Sequence, residues 1–139
     1  MPFLNPESGE MQLSDALRLR ARMPLNEALT AYEALTGRSA VVDDGPEPLL
    51  CFPVCPVEGG AVAPVCCFHG GALHSVLLWA YQADGARGPA EARRALLFRL
   101  IGQTDPAPGR VVSIRFPFGT AIAAADPHTG DALLRLTYR

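Results

Sequence analysis

Charged residues are scarce in this sequence, and lysine is absent from it. Charged side chains make up 19% of the 139 residues, all 12 basic residues are arginine, and the formal net charge is −2. A surface that binds nucleic acid needs a basic patch to neutralise phosphates, and this balance does not favour one. The apolar fraction of 49% is typical of a chain that folds around a core. We therefore expect a globular protein with no nucleic-acid partner.

Long apolar runs are missing as well. No stretch approaches the ~20 apolar residues that span a bilayer, and the N-terminal residues MPFLNPE lack the basic start and apolar centre of a signal peptide. The cysteines are Cys51, Cys55, Cys66 and Cys67, and without an export signal they are expected to stay reduced. These absences predict a cytoplasmic protein that is not bound to a membrane.

The length of the chain suits one domain that is large enough to bury a core without disulfides. Residues 1–12 contain Pro2, Pro6 and Gly9 and show no hydrophobic periodicity. We expect them to form a flexible leader. Residues 13–139 are expected to form a single α+β domain.

Helical patterns are found in three places. Ser14 can cap a first helix, which Pro24 interrupts. Apolar residues then recur at helical spacing up to Gly37, a residue suited to a left-handed helix end. A third helix is predicted from Pro89 to a stop at Gly102.

Strand-like segments lie between the second and third helices. They are Leu49–Val57, Ala61–Phe68 and Ala72–Gln82, and Gly-Gly pairs at 59–60 and 70–71 separate them. Such a pair predicts a two-residue hairpin turn, because both central residues of a type I′ turn need a positive φ. The predicted structure of this region is an antiparallel β-meander.

Regular alternation along this meander assigns its side chains to two faces. One face would carry Cys51, Cys55, Cys66, Phe68, Leu73, Leu77 and Trp79. The other would carry Phe52, Val54, Val65, Cys67, His74, Val76 and Leu78. Both sets are mostly apolar, so both faces need a cover, which the helices, a second subunit or a partner could supply.

The pattern of apolar residues in the C-terminal part of the chain predicts further strands. Val111–Phe116 reads as a strand, and Thr120–Ala125 and Ala132–Tyr138 read as a hairpin around the turn-forming residues 126–131. The predicted fold class is therefore α+β. Its plan is N-terminal helices followed by an antiparallel β-meander, one further helix and a C-terminal β-hairpin.

The first candidate for chemistry is the segment His69-Gly70-Gly71. With its neighbours it resembles the His-Gly-Gly segment of hotdog-fold acyl-CoA thioesterases, in which the glycines lead into a central helix whose dipole faces the thioester carbonyl. The resemblance implies catalytic roles for these three residues and a helix over residues 72–82. The acidic catalytic residue of that family falls here at Leu78, which can neither activate water nor attack. A hairpin turn explains the same residues without chemistry, so a thioesterase is the alternative function.

The second candidate is a metal centre. Its ligands would be Cys51, Cys55, Cys67 and His74. Only Cys51-x3-Cys55 has a spacing typical of zinc sites, and Pro53 lies inside it. Buried thiols that act as small hydrophobic residues explain the same cysteines. Because the sequence also lacks Gly-x-Ser-x-Gly and phosphate-binding glycine motifs, we predict neither a metal nor a cofactor.

The third candidate is a protein-binding patch near the end of the third strand. It would consist of Trp79, Tyr81, Leu77 and Leu73, which regular alternation places on one face. Trp and Tyr are favoured anchors of interfaces. The alternative for the same residues is a place in the core, where large aromatic side chains of strands usually pack.

The order of predicted elements resembles that of the small acidic chaperones of type III secretion. The stretch Ala123–Leu136, which contains Asp-x-x-Thr-Gly, is similar to a strand–turn–strand of that family. This chain departs from the family by finishing on a strand instead of a long helix. Toxin-neutralising immunity proteins share the same size, acidity and plan. Both resemblances imply a non-enzymatic module that binds another protein, either as a homodimer or in a heteromeric complex.

Overall fold

The computed structural model describes residues 3–15, 17–40, 42, 45–103, 111–125 and 132–139. Within them the helices are α1 (Leu25–Thr36) and α2 (Ala90–Leu100). The strands are β1 (Met11–Gln12), β2 (Arg18–Leu19), β3 (Leu49–Cys51), β4 (Cys55–Val57), β5 (Gly60–His69), β6 (Ala72–Tyr81), β7 (Val111–Phe116), β8 (Gly119–Ala125) and β9 (Ala132–Tyr138). The α+β class is confirmed. No helix in these ranges is both long and apolar enough to cross a membrane.

One antiparallel sheet dominates the fold. Its strand order is β3-β5-β6-β9-β8-β7, and β4 pairs with the same strand, β5, as β3 does. The N-terminal meander and the C-terminal strands are therefore one sheet, which is joined where β9 lies beside β6. The sequence does not predict this junction, because it pairs strands that are far apart in the chain. The predicted turn at residues 126–131 lies outside the described residues.

The hairpin predicted at Gly70-Gly71 is confirmed. His69 pairs with Ala72, and the two glycines have φ angles of +61° and +80°. Positive φ at both central positions is the requirement of a type I′ turn. The residues that resemble a thioesterase motif therefore form a tight turn between two strands.

The first hairpin lies one residue earlier than predicted. Val57 pairs with Gly60, so the loop is Glu58-Gly59. Gly60 is instead a residue of β5, at a point where α2 and β6 come close to its backbone. A Cβ at this position would lie 2.8 Å from Leu96 Cδ2 of α2 and 2.9 Å from the backbone oxygen of Tyr81. The second glycine of this pair therefore allows helix packing rather than a turn.

A β-bulge in β6 changes the faces that regular alternation predicts. Phe68 pairs with Leu73, but Cys67 pairs with Ser75, so His74 is an extra residue without a partner on β5. An extra residue reverses the alternation beyond it. The predicted grouping of Leu73 with Leu77 and Trp79 on one face is therefore wrong.

The first predicted helix is also wrong. Met11–Gln12 and Arg18–Leu19 form the short antiparallel pair β1–β2, with Met11 opposite Leu19. Met11, Leu13, Leu17 and Leu19 are all buried, whereas Gln12 and Arg18 are not. Buried residues at odd positions are a strand pattern, with a period of two. The proposed helix cap at Ser14 instead lies in the turn, where Ser14 and Leu17 exchange backbone hydrogen bonds.

The N-terminal segment packs against the C-terminal strand. Leu4 is buried and forms a β-bridge with Met11. The buried Tyr138 hydroxyl donates a hydrogen bond of 2.9 Å to the backbone oxygen of Gly9. Residues that composition assigns to a leader thus contribute directly to the core.

The helices lie on one side of the sheet. α2 contacts β6, β8 and β9, and its Leu96, Leu97 and Phe98 are buried. On the same side, Tyr32 of α1 makes an edge-to-face contact with Phe52, with ring centroids 5.7 Å apart. The inner face of the sheet, defined as the face covered in this way, bears the buried side chains Leu50, Cys66, Phe68, Leu73, Val76, Leu78, Ala121, Ala123, Leu134 and Leu136.

Because Cys66 and Tyr138 are buried, we expect the free energy of unfolding to fall at alkaline pH. Burial raises the pKa of the Cys66 thiol above its ordinary value of 9.0 and that of the Tyr138 hydroxyl above 10.0. Between the ordinary and the raised values only the unfolded chain ionises, so unfolding becomes easier as the pH rises above about 9. Below that pH neither group makes stability depend on pH. Urea unfolding from pH 7 to 11 measures the effect.

Tyr138→Phe is the matched variant for this measurement. It removes the hydrogen bond to Gly9, which should lower the free energy of unfolding by about 1–2 kcal/mol at pH 7. It should also remove the part of the pH dependence that begins near 10. An unchanged profile above pH 10 would contradict this assignment.

Candidate functional site: the outer face of the sheet

The outer face of the sheet, which points away from the helices, consists mainly of three cross-strand rows. The apolar row is Ala63, Trp79, Leu133, Ala124 and Val111. The mixed row is Val65, Leu77, Arg135, Ile122 and Ser113. The polar row is Cys67, Ser75, Thr137, Thr120 and Arg115. Strand β3 extends the last two rows, because Cys51 is opposite Val65 and Leu49 is opposite Cys67.

Large apolar side chains are exposed on this face. Trp79 is 40% exposed, Ile122 39%, Leu49 46% and Val111 67%. The other exposed large hydrophobic residue in the described part of the chain is Val54, between β3 and β4. Soluble monomers rarely expose contiguous apolar patches of this kind, and such patches mark interaction sites. The outer face is therefore the candidate functional site.

The charges on the outer face are of one sign. Arg135 lies in the middle of the mixed row and Arg115 at the edge of the polar row, while the three rows contain no carboxylate. The ion pairs seen among the described residues lie elsewhere, as Arg18–Glu10, Arg20–Glu27 and His69–Glu47. The face thus combines apolar side chains and neutral polar side chains with two arginines.

The predicted protein-binding residues are divided between the two faces. Trp79, Leu77 and Tyr81 follow the bulge and lie on the outer face, the first exposed and the other two partly buried. Leu73 precedes the bulge and is 1% exposed, so it belongs to the core. The structure brings three of the four predicted residues together on one open surface.

Sequence reasoning missed Arg135 and Ile122. Both lie opposite each other on β9 and β8, and Arg135 is opposite Leu77 of β6. The sequence of β9 does contain a signal for Arg135, since the apolar residues Leu134 and Leu136 flank it and are fully buried. The alternation places Arg135 on the opposite face from these leucines, but it does not say that β9 lies next to β6.

The segment His69-Gly70-Gly71 does not have the setting of a hotdog thioesterase. The strand β6 begins directly after the turn, so the glycines lead into a strand and not into a central helix. The N-terminal end of α1 lies beside this turn, where the Leu25 N–H donates to the Gly71 backbone oxygen at 2.9 Å. His69 is exposed, with its Nδ1 3.4 Å from Glu47 Oε1. Leu78, at the position of the acidic residue, is fully buried in the core. A strand over Ala72–Tyr81 is the outcome that the protein-binding interpretation predicts.

The four candidate metal ligands are not assembled into a site. Cys51 and Cys67 lie on the outer face, whereas Cys55 is buried and its thiol donates to the backbone oxygen of Pro53 at 3.2 Å. Burial raises the pKa of the Cys55 thiol, which keeps it in the neutral form that binds metals poorly. His74 is exposed at the bulge. Among the described residues no group of three or more His, Cys, Asp and Glu is placed to hold a metal ion.

A cavity of about 770 Å³ lies between the N-terminal segment, β4 and the end of α2. Its lining includes Phe3, Val57, Leu100 and Phe116 together with the Arg99 side chain. Arg99 is directed to the β4–β5 turn, where it donates to the backbone oxygen of Glu58 at 3.4 Å. The cavity is mostly apolar and adjoins Gly102, shortly before the undescribed residues 104–110.

Comparison with known proteins gives one structural likeness. No protein-family model matches the sequence, and no curated protein matches it. The chain is similar to a chain of a solved structure described as "Rhs1-CT in complex with cognate immunity protein RhsI1". The match covers 100% of this chain and 88% of that chain, with a TM-score of 0.50 and 15% identity. It shows a shared fold, and it gives no support to the resemblance to type III secretion chaperones.

Proposed function

We propose that this protein is an immunity-type binder that neutralises a toxic protein domain by covering it with the outer face of its sheet. The observation that carries the proposal is the apolar row on the outer face, in which Trp79 is 40% and Val111 is 67% exposed. The likeness to a chain from a complex of an immunity protein with its cognate partner supports the same conclusion. Binding alone performs this function, so it needs no catalytic group.

The geometry of the outer face suits a protein partner. Five strands at about 4.8 Å spacing make each row roughly 19 Å long, and the three rows extend roughly 14 Å along the strands. An area of this size suits the apolar centre of a standard interface, with neighbouring loops as its rim. The side chains stand on paired strands, so little conformational entropy is lost when a partner docks.

The function can be tested by co-expression with the product of the neighbouring reading frame. A neutralising protein must be present whenever its toxic partner is made, and joint transcription ensures this. We expect the neighbouring product alone to arrest growth of the host and the wild-type chain to restore it. Trp79→Glu, which places a charge in the apolar row, should fail to restore growth although it is expressed and folded. Full rescue by this variant, or no complex between the purified proteins, would contradict the proposal.

Native cysteines provide a second test of where the partner binds. Cys51 is exposed on the outer face, whereas Cys55 and Cys66 are buried. In the free protein Cys51 should react with iodoacetamide fastest, and complex formation should slow its alkylation by at least about tenfold, because a docked surface excludes the reagent from an interface core. Trypsin leaves all four cysteines in the single peptide 39–87, so tandem mass spectrometry, which locates the alkylated residue within that peptide, measures each rate. Equal rates for Cys51 in the free and bound protein would place the partner elsewhere.

A further inference from the structure

The position of Arg135 carries an inference about the partner. Arg135 is exposed in the middle of the mixed row, opposite Leu77 on one neighbouring strand and Ile122 on the other. Within the part of the chain that the structure describes, its guanidinium makes no ion pair or hydrogen bond. A permanent cation therefore lies between apolar side chains, and the described residues supply no counter-charge to it.

Docking a partner on this surface would remove Arg135 from water. A guanidinium keeps its charge at all physiological pH values, so it cannot escape the cost of desolvation by losing a proton. Leaving such a charge buried and unpaired costs several kcal/mol, whereas a carboxylate can pair with it through two parallel hydrogen bonds. The apolar neighbours Leu77 and Ile122 would then exclude water from the pair, as the ring around an interface hot spot does.

We propose that the partner presents an Asp or Glu carboxylate to Arg135, surrounded by apolar side chains that meet Trp79 and Ile122. This inference rests on the proposed function, since it specifies the chemistry of the partner at the same face. Arg115 has a different role. It lies on β7 at the edge of the sheet, where a charge stays in contact with water and contributes little to affinity.

The same charges disfavour a second copy of this chain as the occupant. A two-fold symmetric dimer places a surface against itself. Two outer faces packed together would bring Arg135 and Arg115 of both copies into one interface, and the three rows supply no carboxylate for them. Of the two assemblies that the sequence left open, the face thus favours a heteromeric complex over a homodimer.

Sedimentation of the isolated protein should give a monomer. A dimer that Arg135→Glu dissociates or strengthens would overturn the assignment of this face to a different protein.

The experiment measures the affinity of Arg135→Met, Arg135→Lys and Arg135→Glu for the purified product of the neighbouring reading frame. Removing one member of a buried charge pair should weaken binding by at least about 30-fold, so this loss is expected for methionine and a larger one for glutamate. Lysine should be intermediate, because it keeps the charge but loses the bidentate geometry. Arg115→Met is the matched control and should change the affinity less than about threefold. Circular dichroism checks that all variants are folded.

Charge exchange identifies the partner residue. Among variants of the partner in which single Asp or Glu residues become Arg, one should restore binding to Arg135→Glu. If Arg135→Met binds as tightly as the wild type, or more tightly, while Trp79→Ala is weakened, the carboxylate inference is overturned and the proposed binding face stands. If neither variant changes the affinity, the partner does not use the outer face and the proposed function loses its site.

Discussion

Replacing Trp79 with alanine should weaken the complex with the neighbouring product by about 30- to 1000-fold, the range of an interface hot spot. Trp79 is 40% exposed in the apolar row, between Ala63 on β5 and Leu133 on β9. A large flat side chain fixed on a central strand offers contact area at a small entropic cost. Its removal leaves no cavity in the core, because it lies on the outer face. Isothermal titration calorimetry of the purified proteins measures the loss.

Val54→Ala is the control for this prediction. Val54 is similarly exposed at 42%, but it lies between β3 and β4 and outside the three rows. It should change the affinity by less than about threefold, as most contacts outside a hot spot do. If both substitutions had equal effects, general surface hydrophobicity rather than the apolar row would account for binding. The melting temperature of each variant should stay close to that of the wild type.

Gly119→Ala should be the most destabilising single-methyl change on the sheet, lowering the free energy of unfolding by about 3 kcal/mol or more. Gly119 follows the β7–β8 turn and pairs with Tyr138 of β9. Its φ is +156°, and a Cβ there would overlap the backbone carbonyl oxygen of Thr137. Backbone in the centre of a sheet cannot move aside without breaking its ladder of hydrogen bonds. Urea unfolding followed by circular dichroism measures the change.

Gly85→Ala separates backbone strain from this overlap. Gly85 also has a positive φ, of +85°, but no atom outside its immediate neighbours lies within 4 Å of a Cβ built there. Only the left-handed backbone penalty applies, so the expected cost is about 1 kcal/mol. A Gly119 variant no less stable than the Gly85 variant would show that the sheet is not packed as described at β8 and β9.

Local signals in the sequence predicted the elements that local physics determines. The spacing of apolar residues before Gly37 predicted α1, and Gly37 does end it with a φ of +69° and a hydrogen bond to the Glu33 oxygen. The pair Gly70-Gly71 predicted a type I′ hairpin for the same reason, since the required backbone conformation is special to glycine. These predictions needed no knowledge of distant residues.

The errors arose where the outcome depends on contacts between distant parts of the chain. The pattern from residue 13 to Pro24 predicts a helix because Leu13 and Leu17 are four apart, a spacing that also fits a strand pair. Their burial depends on packing against the core formed by later strands. The bulge at His74 left no signal in composition, and it changed the face of every residue after it in β6.

The sequence predicts only part of the candidate site, because the rest depends on contacts between strands that are far apart in the chain. The residue type and the strand of Trp79 predict an interface anchor, and Trp79 lies on the outer face. The sequence does not predict a role for Arg135, because its importance comes from the insertion of β9 between β6 and β8. In isolation Arg135 is one polar residue in an alternating strand, and only the sheet order surrounds it with Leu77 and Ile122.

Binding of the partner on the outer face can be followed at Trp79, which is the single tryptophan of the chain. Protein labelled with 5-fluorotryptophan has one tryptophan fluorine, and an unlabelled partner adds no signal. Addition of the neighbouring product should move this ¹⁹F resonance to a new position and lower its sensitivity to the D₂O content of the solvent, as the ring leaves water. A complex that forms with the resonance unmoved and its solvent sensitivity unchanged would show that the partner does not bind on the outer face.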